Sequence, residues 1–204
     1  MPLNTIIRDQ AKPWLNARVN DLRIDGSLRN GADLGQSGFV LTSNGASQDW
    51  EAKIQKAYFA QVENANADGG ALAAGTWTAR AINTELSNQY NIASLVGNAI
   101  QPIAGEYTVK ASASAFGTDG CQLRLRNITS GSVVGVGLTG FSADAGNVQC
   151  TLTLEVDFST NGTDQYVLEQ FAEVAPAVPS EAGGTGHAGA IPHTFVLLSV
   201  LKRL

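Results

Sequence analysis

Charge, cysteine and histidine are scarce in this sequence. Charged residues make up 15% of its 204 residues, below the fraction of about a quarter that is usual in globular domains. The two cysteines are too few for a disulfide framework. Cys121 and Cys150 each precede an alternating run of residues, which predicts a buried pair of free thiols. The sequence leaves open whether these two cysteines bond to each other.

Long apolar runs are also missing. No stretch approaches the roughly 20 apolar residues of a membrane-spanning helix, so we expect no membrane insertion. The first ten residues include Arg8 and Asp9 and lack the apolar core of a signal peptide. This pattern predicts a protein that is made and assembled in a cytoplasm.

The charge balance is acidic, with a net charge of −5 and a pI of about 4.9. Such a balance does not indicate nucleic-acid binding. No lysine or arginine falls between Asn127 and Leu201, whereas Arg8, Lys12 and Arg18 lie near the N-terminus. Two interpretations stay open: ordinary solvated faces, or a basic tail that docks on an acidic partner.

Apolar and polar residues alternate with a period of two from about residue 52 onward, which is the period of a β-strand. In one run, Tyr107, Val109 and Ala111 alternate with Thr108 and Lys110. Gly, Asn, Asp and Pro separate eight or nine such runs, and this spacing predicts an all-β sandwich, barrel or jelly roll. The runs are 56–62, 76–82, 92–103, 106–116, 122–128, 151–158, 165–173 and 194–201.

The first part of the chain differs from the rest, and we predict a short extended or β segment over 1–52 before a head domain over 53–204. The segment contains large apolar residues but is too short, and too broken by Pro13, to bury them alone. We therefore predict that it binds a partner, with burial against the following domain as the alternative. The predicted attachment residues are Ile6, Ile7, Arg8, Trp14 and Leu15.

The last predicted strand is apolar on both faces. Val196, Leu198 and Val200 alternate with Phe195, Leu197 and Leu201. A strand with one solvent-exposed face would not carry this pattern. Either the strand runs through the centre of the sandwich, or its second face contacts another subunit. We favour the contact, and we predict Phe195, Leu197 and Leu201 as subunit-interface residues.

Catalytic and metal-binding patterns are not evident, so we expect no enzyme activity, no cofactor and no metal site. His187 and His193 lie in a loop without further ligands at suitable spacing. Gly183–Gly186 lacks the Gly-Lys-Ser/Thr of a phosphate loop and is predicted to be a flexible surface loop. Glu155 and Asp157 share one strand face, as exposed strands often show. A Ca²⁺ site between acidic loops stays open, although no ligand set is defined.

Several segments together resemble the C1q/TNF-like jelly-roll heads of phage fibre and head-decoration proteins. In such heads an Ala/Pro-Gly-x-Tyr element begins a core strand, matching Ala104–Gly105–Glu106–Tyr107 here. Residues 22–50 are similar to Gly/Ser/Asn-rich segments of phage tail fibres. The head resemblance rests on 75–85, 104–113, 122–127 and 166–170.

The resemblance implies a jelly-roll β-sandwich that assembles as a homotrimer on a virion surface, after assembly in the host cytoplasm. It also implies that 1–52 is a virion-attachment and trimerisation segment, bound to a major capsid protein or to a tail or baseplate protein. Because no long shaft precedes the head, we expect a capsid decoration or cement protein, or a short head fibre. The alternative is a tail-fibre receptor-binding knob that recognises a host surface glycan or protein.

Overall fold

The computed structural model describes residues 39–43, 48–52, 54–143, 148–186 and 191–203. The chain divides into two compact units, Met1–Glu51 and Ala52–Leu204. In the first part, β1 (Phe39–Ser43) and β2 (Gln48–Ala52) pair as a two-stranded sheet. The second unit holds two larger antiparallel sheets.

The first of these sheets has five strands, and its central strand is the last in sequence. Its members are β3 (Ile54–Glu63), β5 (Thr84–Ser87), β8 (Gly105–Phe116), β12 (Gln149–Thr160) and β14 (His193–Arg203), in the order β12-β8-β14-β3-β5. Strand β14 pairs with β3 on one side and with β8 on the other.

The second sheet has six strands, with the path β10-β9-β13-β7-β6 and β11 paired to β9. A short strand, β4 (Thr76–Ala79), runs beside β13, where Arg80 N donates to Leu168 O at 2.8 Å. The members are β6 (Ala93–Val96), β7 (Ala99–Pro102), β9 (Asp119–Asn127), β10 (Val133–Val136), β11 (Gly140–Ser142) and β13 (Tyr166–Ala172).

From β8 onward, successive long strands alternate between the two sheets, which makes the second unit a jelly-roll β-sandwich. The chain passes from β8 to β9, and later from β12 to β13 to β14, crossing the sandwich at each step. The described residues contain no α-helix, and the single 3₁₀ turn is Pro179–Glu181. The predicted all-β jelly-roll class is confirmed.

The number of strands differs from the sequence prediction. Residues 92–103 were predicted as one run but form a hairpin of β6 and β7, which turns at Gly97 with φ of +60°. The short strands β10 and β11 were not predicted, because they contain three or four residues and alternation is undetectable over that length.

The core lies between the sheets and is built from the alternating residues. On β8 the inward positions include Tyr107, Val109 and Ala111, all buried. The Tyr107 hydroxyl donates towards Ile103 O at 2.9 Å and also lies 3.1 Å from Ile92 O. Burial raises the pKa of Tyr107 to about 12. Strand β8 starts at Gly105, as the resemblance implies. The hydroxyl of Tyr107 holds this start of the strand against the backbone of Ile103.

Strand β14 resolves the two interpretations of its doubly apolar pattern in part. It is the central strand of the five-stranded sheet, and Val196, Leu198 and Val200 face the core. The opposite positions do not share this core. Leu197 is 42% exposed and Leu201 is partly buried on the outer face.

Candidate interaction surfaces

The predicted attachment residues Ile6, Ile7, Arg8, Trp14 and Leu15 lie outside the described residues. Within the described part of the chain, no helix combines the length and apolar character needed to cross a membrane. No group of three or more potential metal ligands occurs in these same residues.

The two carboxylates on β12 are each held by a cation. Glu155 lies 2.9 Å from Lys110 Nζ, and Asp157 pairs with Arg203. A hydrogen bond from the Thr108 hydroxyl, and then the contact with Arg203, lower the pKa of Asp157. A general acid for glycoside hydrolysis requires a raised pKa, so the direction at Asp157 is the opposite of the one that this chemistry needs.

The outer face of the five-stranded sheet carries a shallow apolar depression around Leu197. Register places Leu197 beside Ala60 and Ser112, and Ser199 beside Tyr58. Because its neighbours are small, Leu197 projects into a groove of about 350 Å³, which the Lys110–Glu155 pair also borders. We call Tyr58, Ser112, Leu197, Ser199 and Leu201 the Leu197 face.

Phe195, the third predicted interface residue, is buried within its own chain. A register shift between Thr194 and Val196 displaces it from the regular ladder, and it is 5% exposed. The segment Ala182–Gly184 crosses above it, and an added Cβ on Gly184 would lie 2.7 Å from the Phe195 ring. Phe195 thus belongs to the interior, whereas Leu197 and Leu201 remain on the outer face.

The crossing segment, Ala182–Gly184, corrects the prediction for Gly183–Gly186. All three residues of the crossing segment are buried, so this part is not a surface loop. Gly183 N donates to Gly70 O at 2.9 Å, and Gly69 N donates to Gly184 O at 2.8 Å. A Cβ on Gly183 would meet Gly69 O at 2.3 Å, so only glycine permits this approach of two backbones.

A buried arginine holds the crossing segment in place. Arg80 is 2% exposed and donates from Nη2 to Gly183 O at 3.1 Å. Its Nε donates to Gln61 Oε1 and its Nη1 to Gln170 Oε1, at 3.0 and 2.9 Å. Burial lowers the pKa of Arg80 to about 10, against an opposing effect of the Glu63 carboxylate. The Arg80 guanidinium therefore has a structural role, because it links β3, β13 and the crossing segment.

The outer face of the six-stranded sheet carries a cluster that the sequence did not reveal. Arg124 Nε contacts Glu169 Oε2 at 2.5 Å, and Arg126 Nη1 lies 3.3 Å from Glu169 Oε1. The Arg124 guanidinium lies 4.2 Å above the Trp77 ring, and Trp77 packs against Phe171 with centroids 5.5 Å apart. We call these five residues the Trp77 face.

Exposed apolar residues flank the Trp77 face. Val133 and Val136 stand opposite Arg126 and Arg124 in the strand register and are 47% and 51% exposed. Phe141 is 65% exposed at the β11 edge of the same sheet. Alternation in 122–128 correctly predicted that the two arginines face away from Leu123 and Leu125. It gave no signal for Trp77 or Glu169, which come from distant parts of the chain.

The comparisons with known proteins find likeness in structure only. No protein-family model matches the chain, and no curated protein matches it. Solved structures that resemble it include PRD1 vertex protein P5 (14% identity, TM-score 0.48, covering 89% of this chain and 93% of that one). Others are the globular domain of zebrafish complement 1qA (11%, 0.41, 74% and 97%) and Eiger TNF from S. frugiperda (10%, 0.44, 74% and 94%). These likenesses concern the arrangement of strands.

Proposed function

We propose that the protein is a non-enzymatic structural subunit of a virion surface, a homotrimer that serves as a capsid decoration or cement protein or as a short head fibre. The observation that carries this proposal is the Leu197 face. It is an apolar surface on the outside of a sandwich whose core is already complete, and Leu197 is 42% exposed there.

The Leu197 face has the chemistry of a contact between copies. Small residues beside Leu197, such as Ser112 and Ser199, allow another backbone to approach closely. At its margin the Lys110–Glu155 and Arg203–Asp157 charges are paired. Lys56 lies beside Leu201 in the strand register, so a covering copy must leave it in solvent or supply an acidic group. Obligate interfaces of this kind bury on the order of 2,000 Å² or more. The order of the head-like motifs along the chain supports three copies.

The N-terminal segment supplies the attachment in this proposal. Ile6, Ile7, Trp14 and Leu15 would insert in a groove of a major capsid protein or of a tail or baseplate protein, and Arg8 would meet its acidic rim. Trp and Arg are common among interface hot spots, where truncation costs about 2 kcal/mol or more.

Light scattering on the purified full chain tests the trimer. We expect a trimer at micromolar concentration, and Leu197→Glu should give folded monomers because it places a carboxylate in the apolar contact. Val133→Glu is the matched control, since Val133 is 47% exposed and lies beside Arg126 on the outer face of the six-stranded sheet. A monomeric wild-type protein, or a trimeric Leu197→Glu variant, would contradict the proposal.

Particle incorporation tests the attachment. Trp14→Ala should remove the protein from particles while circular dichroism and light scattering show a folded trimeric head. Asn16→Ala, a polar change in the same segment, should leave the copy number unchanged. Normal incorporation of Trp14→Ala would place the attachment elsewhere, with residues 175–192 as the next segment to vary.

A receptor-binding knob is the second candidate function, and the Trp77 face favours it. Trp, Phe and Arg are held there in fixed orientation and partly exposed, as recognition of a host surface glycan or protein requires. Trp77→Ala should then reduce adsorption to host cells without changing the trimer. Val96→Ala, at an exposed position of strand β6, is the control. Unchanged adsorption of Trp77→Ala particles would rule this candidate out.

A further inference from the structure

Two thiols meet between the sheets of the sandwich. Cys121 lies on β9 of the six-stranded sheet, and Cys150 lies on β12 of the five-stranded sheet. Their sulfur atoms are 3.6 Å apart, and both cysteines are free. Cys121 is fully buried and Cys150 is partly exposed. The predicted pair of free thiols is therefore present, with one member reachable from outside.

We propose that Cys121 and Cys150 form an oxidation site, which closes to a disulfide between the two sheets when the protein meets a small-molecule disulfide such as oxidised glutathione. The proposal is independent of the function proposed above. It concerns a chemical modification of the sandwich itself.

The geometry requires only a small movement. A disulfide has a sulfur–sulfur distance of about 2.05 Å, so the two atoms must approach by about 1.5 Å. Gly140 leaves the room around them, because a Cβ at this position would lie 3.5 Å from each sulfur and 2.5 Å from Leu152 Cδ2. Cys150, the second residue of β12, pairs with Ala115 of β8 and is partly exposed, whereas Cys121 is fully buried. Cys150 is therefore the thiol that an oxidant reaches first.

The reaction is a pair of thiol–disulfide exchanges. The Cys150 thiol loses its proton, and the thiolate attacks one sulfur of the oxidised glutathione. This step forms a mixed disulfide and expels one glutathione thiolate. Cys121 then loses its proton and attacks the Cys150 sulfur, which expels the second glutathione thiolate. The protein loses two protons and two electrons, and one glutathione disulfide becomes two glutathione thiols.

The environment of Cys150 makes this reaction slow at neutral pH. Burial, and then the neighbouring Cys121, raise the pKa of Cys150 to about 12. Since the thiolate is the reacting form, its population and the rate should rise about tenfold per pH unit between pH 7 and 9. The thiols would thus survive brief contact with an oxidant and react during long exposure.

The disulfide would tie the sheets across a separation of 29 residues. Closing a loop of that size restricts the unfolded chain, and for a protein of this length the expected gain in Tm is roughly 5–10 °C.

The test incubates the purified full chain with oxidised glutathione at pH 8.5 and follows intact mass, alkylation of thiols after denaturation, and Tm. We expect the wild-type protein to lose two hydrogens, to become resistant to alkylation and to unfold at a higher temperature. Peptide mapping should show Cys121 joined to Cys150 within one chain.

Single variants test the order of attack. Cys121→Ala should stop at the mixed disulfide on Cys150, because no second thiol can release the glutathione. Cys150→Ala should stay unmodified, because Cys121 is buried. A wild-type protein that keeps two alkylatable thiols, or forms disulfides only between chains, overturns the proposal without reference to the variants. Glutathione on Cys121 in the Cys150→Ala protein would overturn the proposed order of attack.

Discussion

The two outer faces of the sandwich hold their charges in different ways. On the Leu197 face, the Lys110–Glu155 pair is exposed, with side-chain exposures of 53% and 62%. On the Trp77 face, Glu169 is only 7% exposed and is shared by Arg124 and Arg126. The first pair can exchange its partners for water or for another subunit at little cost. The second cluster is fixed before any partner arrives.

This difference indicates separate roles for the faces. An exposed ion pair around an apolar centre suits a contact between copies, where the surroundings change during assembly. A buried carboxylate that orients two arginines, one stacked on an indole, suits recognition, because preorganised side chains lose little freedom on binding. Three substitutions test whether the two faces differ in this way.

The largest effect is expected from Arg80→Ala, which releases the crossing segment above Phe195 and would extend the Leu197 face. The change leaves the acceptors of Gln61, Gln170 and Gly183 without their donor and opens a cavity. We expect the free energy of unfolding to fall by roughly 2–4 kcal/mol in urea titrations. Arg80→Lys keeps the charge but cannot reproduce the fork, so it should recover little. A loss below about 0.5 kcal/mol would show that the segment is held by its backbone bonds alone.

A smaller decrease in the free energy of unfolding is expected from Glu169→Gln on the Trp77 face. It leaves two arginines without their shared carboxylate, and we expect a loss of about 1–3 kcal/mol at equal protein concentration. Glu155→Gln makes the same chemical change on the Leu197 face, where an exposed pair contributes about 0–1 kcal/mol. Equal losses in the two variants would remove the contrast between the faces.

The smallest effect concerns pH and Asp157. The folded-state pKa of Asp157 lies below its ordinary value of 3.8, so its contribution to stability is present above that value. It is lost as the pH falls through the lowered pKa. The Tm of the wild-type protein should therefore exceed that of Asp157→Asn at pH 7, and the two should converge as the pH falls through the lowered pKa. A constant difference down to the lowest pH would assign the effect to the amide itself.

Much of the fold could be predicted from the sequence because alternation is a local signal. It located β8, β9, β12, β13 and β14, and it correctly placed Arg124 and Arg126 on an outward face. The glycine pair at 183 and 184 was interpreted as a surface loop, because glycines usually serve turns. Their burial depends on Gly69 and on Arg80, which lie about a hundred residues earlier, and no local pattern reports such a contact.

The candidate surfaces were less predictable for the same reason. The sequence identified Leu197 and Leu201 as apolar residues on the second face of a strand, but Phe195 shared that pattern and is buried through a register shift. The Trp77 face joins β4, β9 and β13. Its cation–π contact and its shared carboxylate exist only once β4, β9 and β13 lie side by side. Alternation therefore predicts which way its members point but not which residues they contact.

The central position of β14 has a consequence for how the sandwich forms. Its neighbours in the sheet, β3 and β8, stand side by side with it but not with each other. The β8–β12 and β3–β5 pairs can form without β14, but during synthesis the two halves of the sheet join only after β14 follows them, and β3 finds this neighbour about 140 residues along the chain. Pairing over such separations is slow, and strands that wait expose their edges to other chains. At this stage, neighbouring nascent copies on one messenger RNA would be exposed to intermolecular strand pairing. Insertion of β14 between β3 and β8 ends that exposure and commits each chain to its own fold.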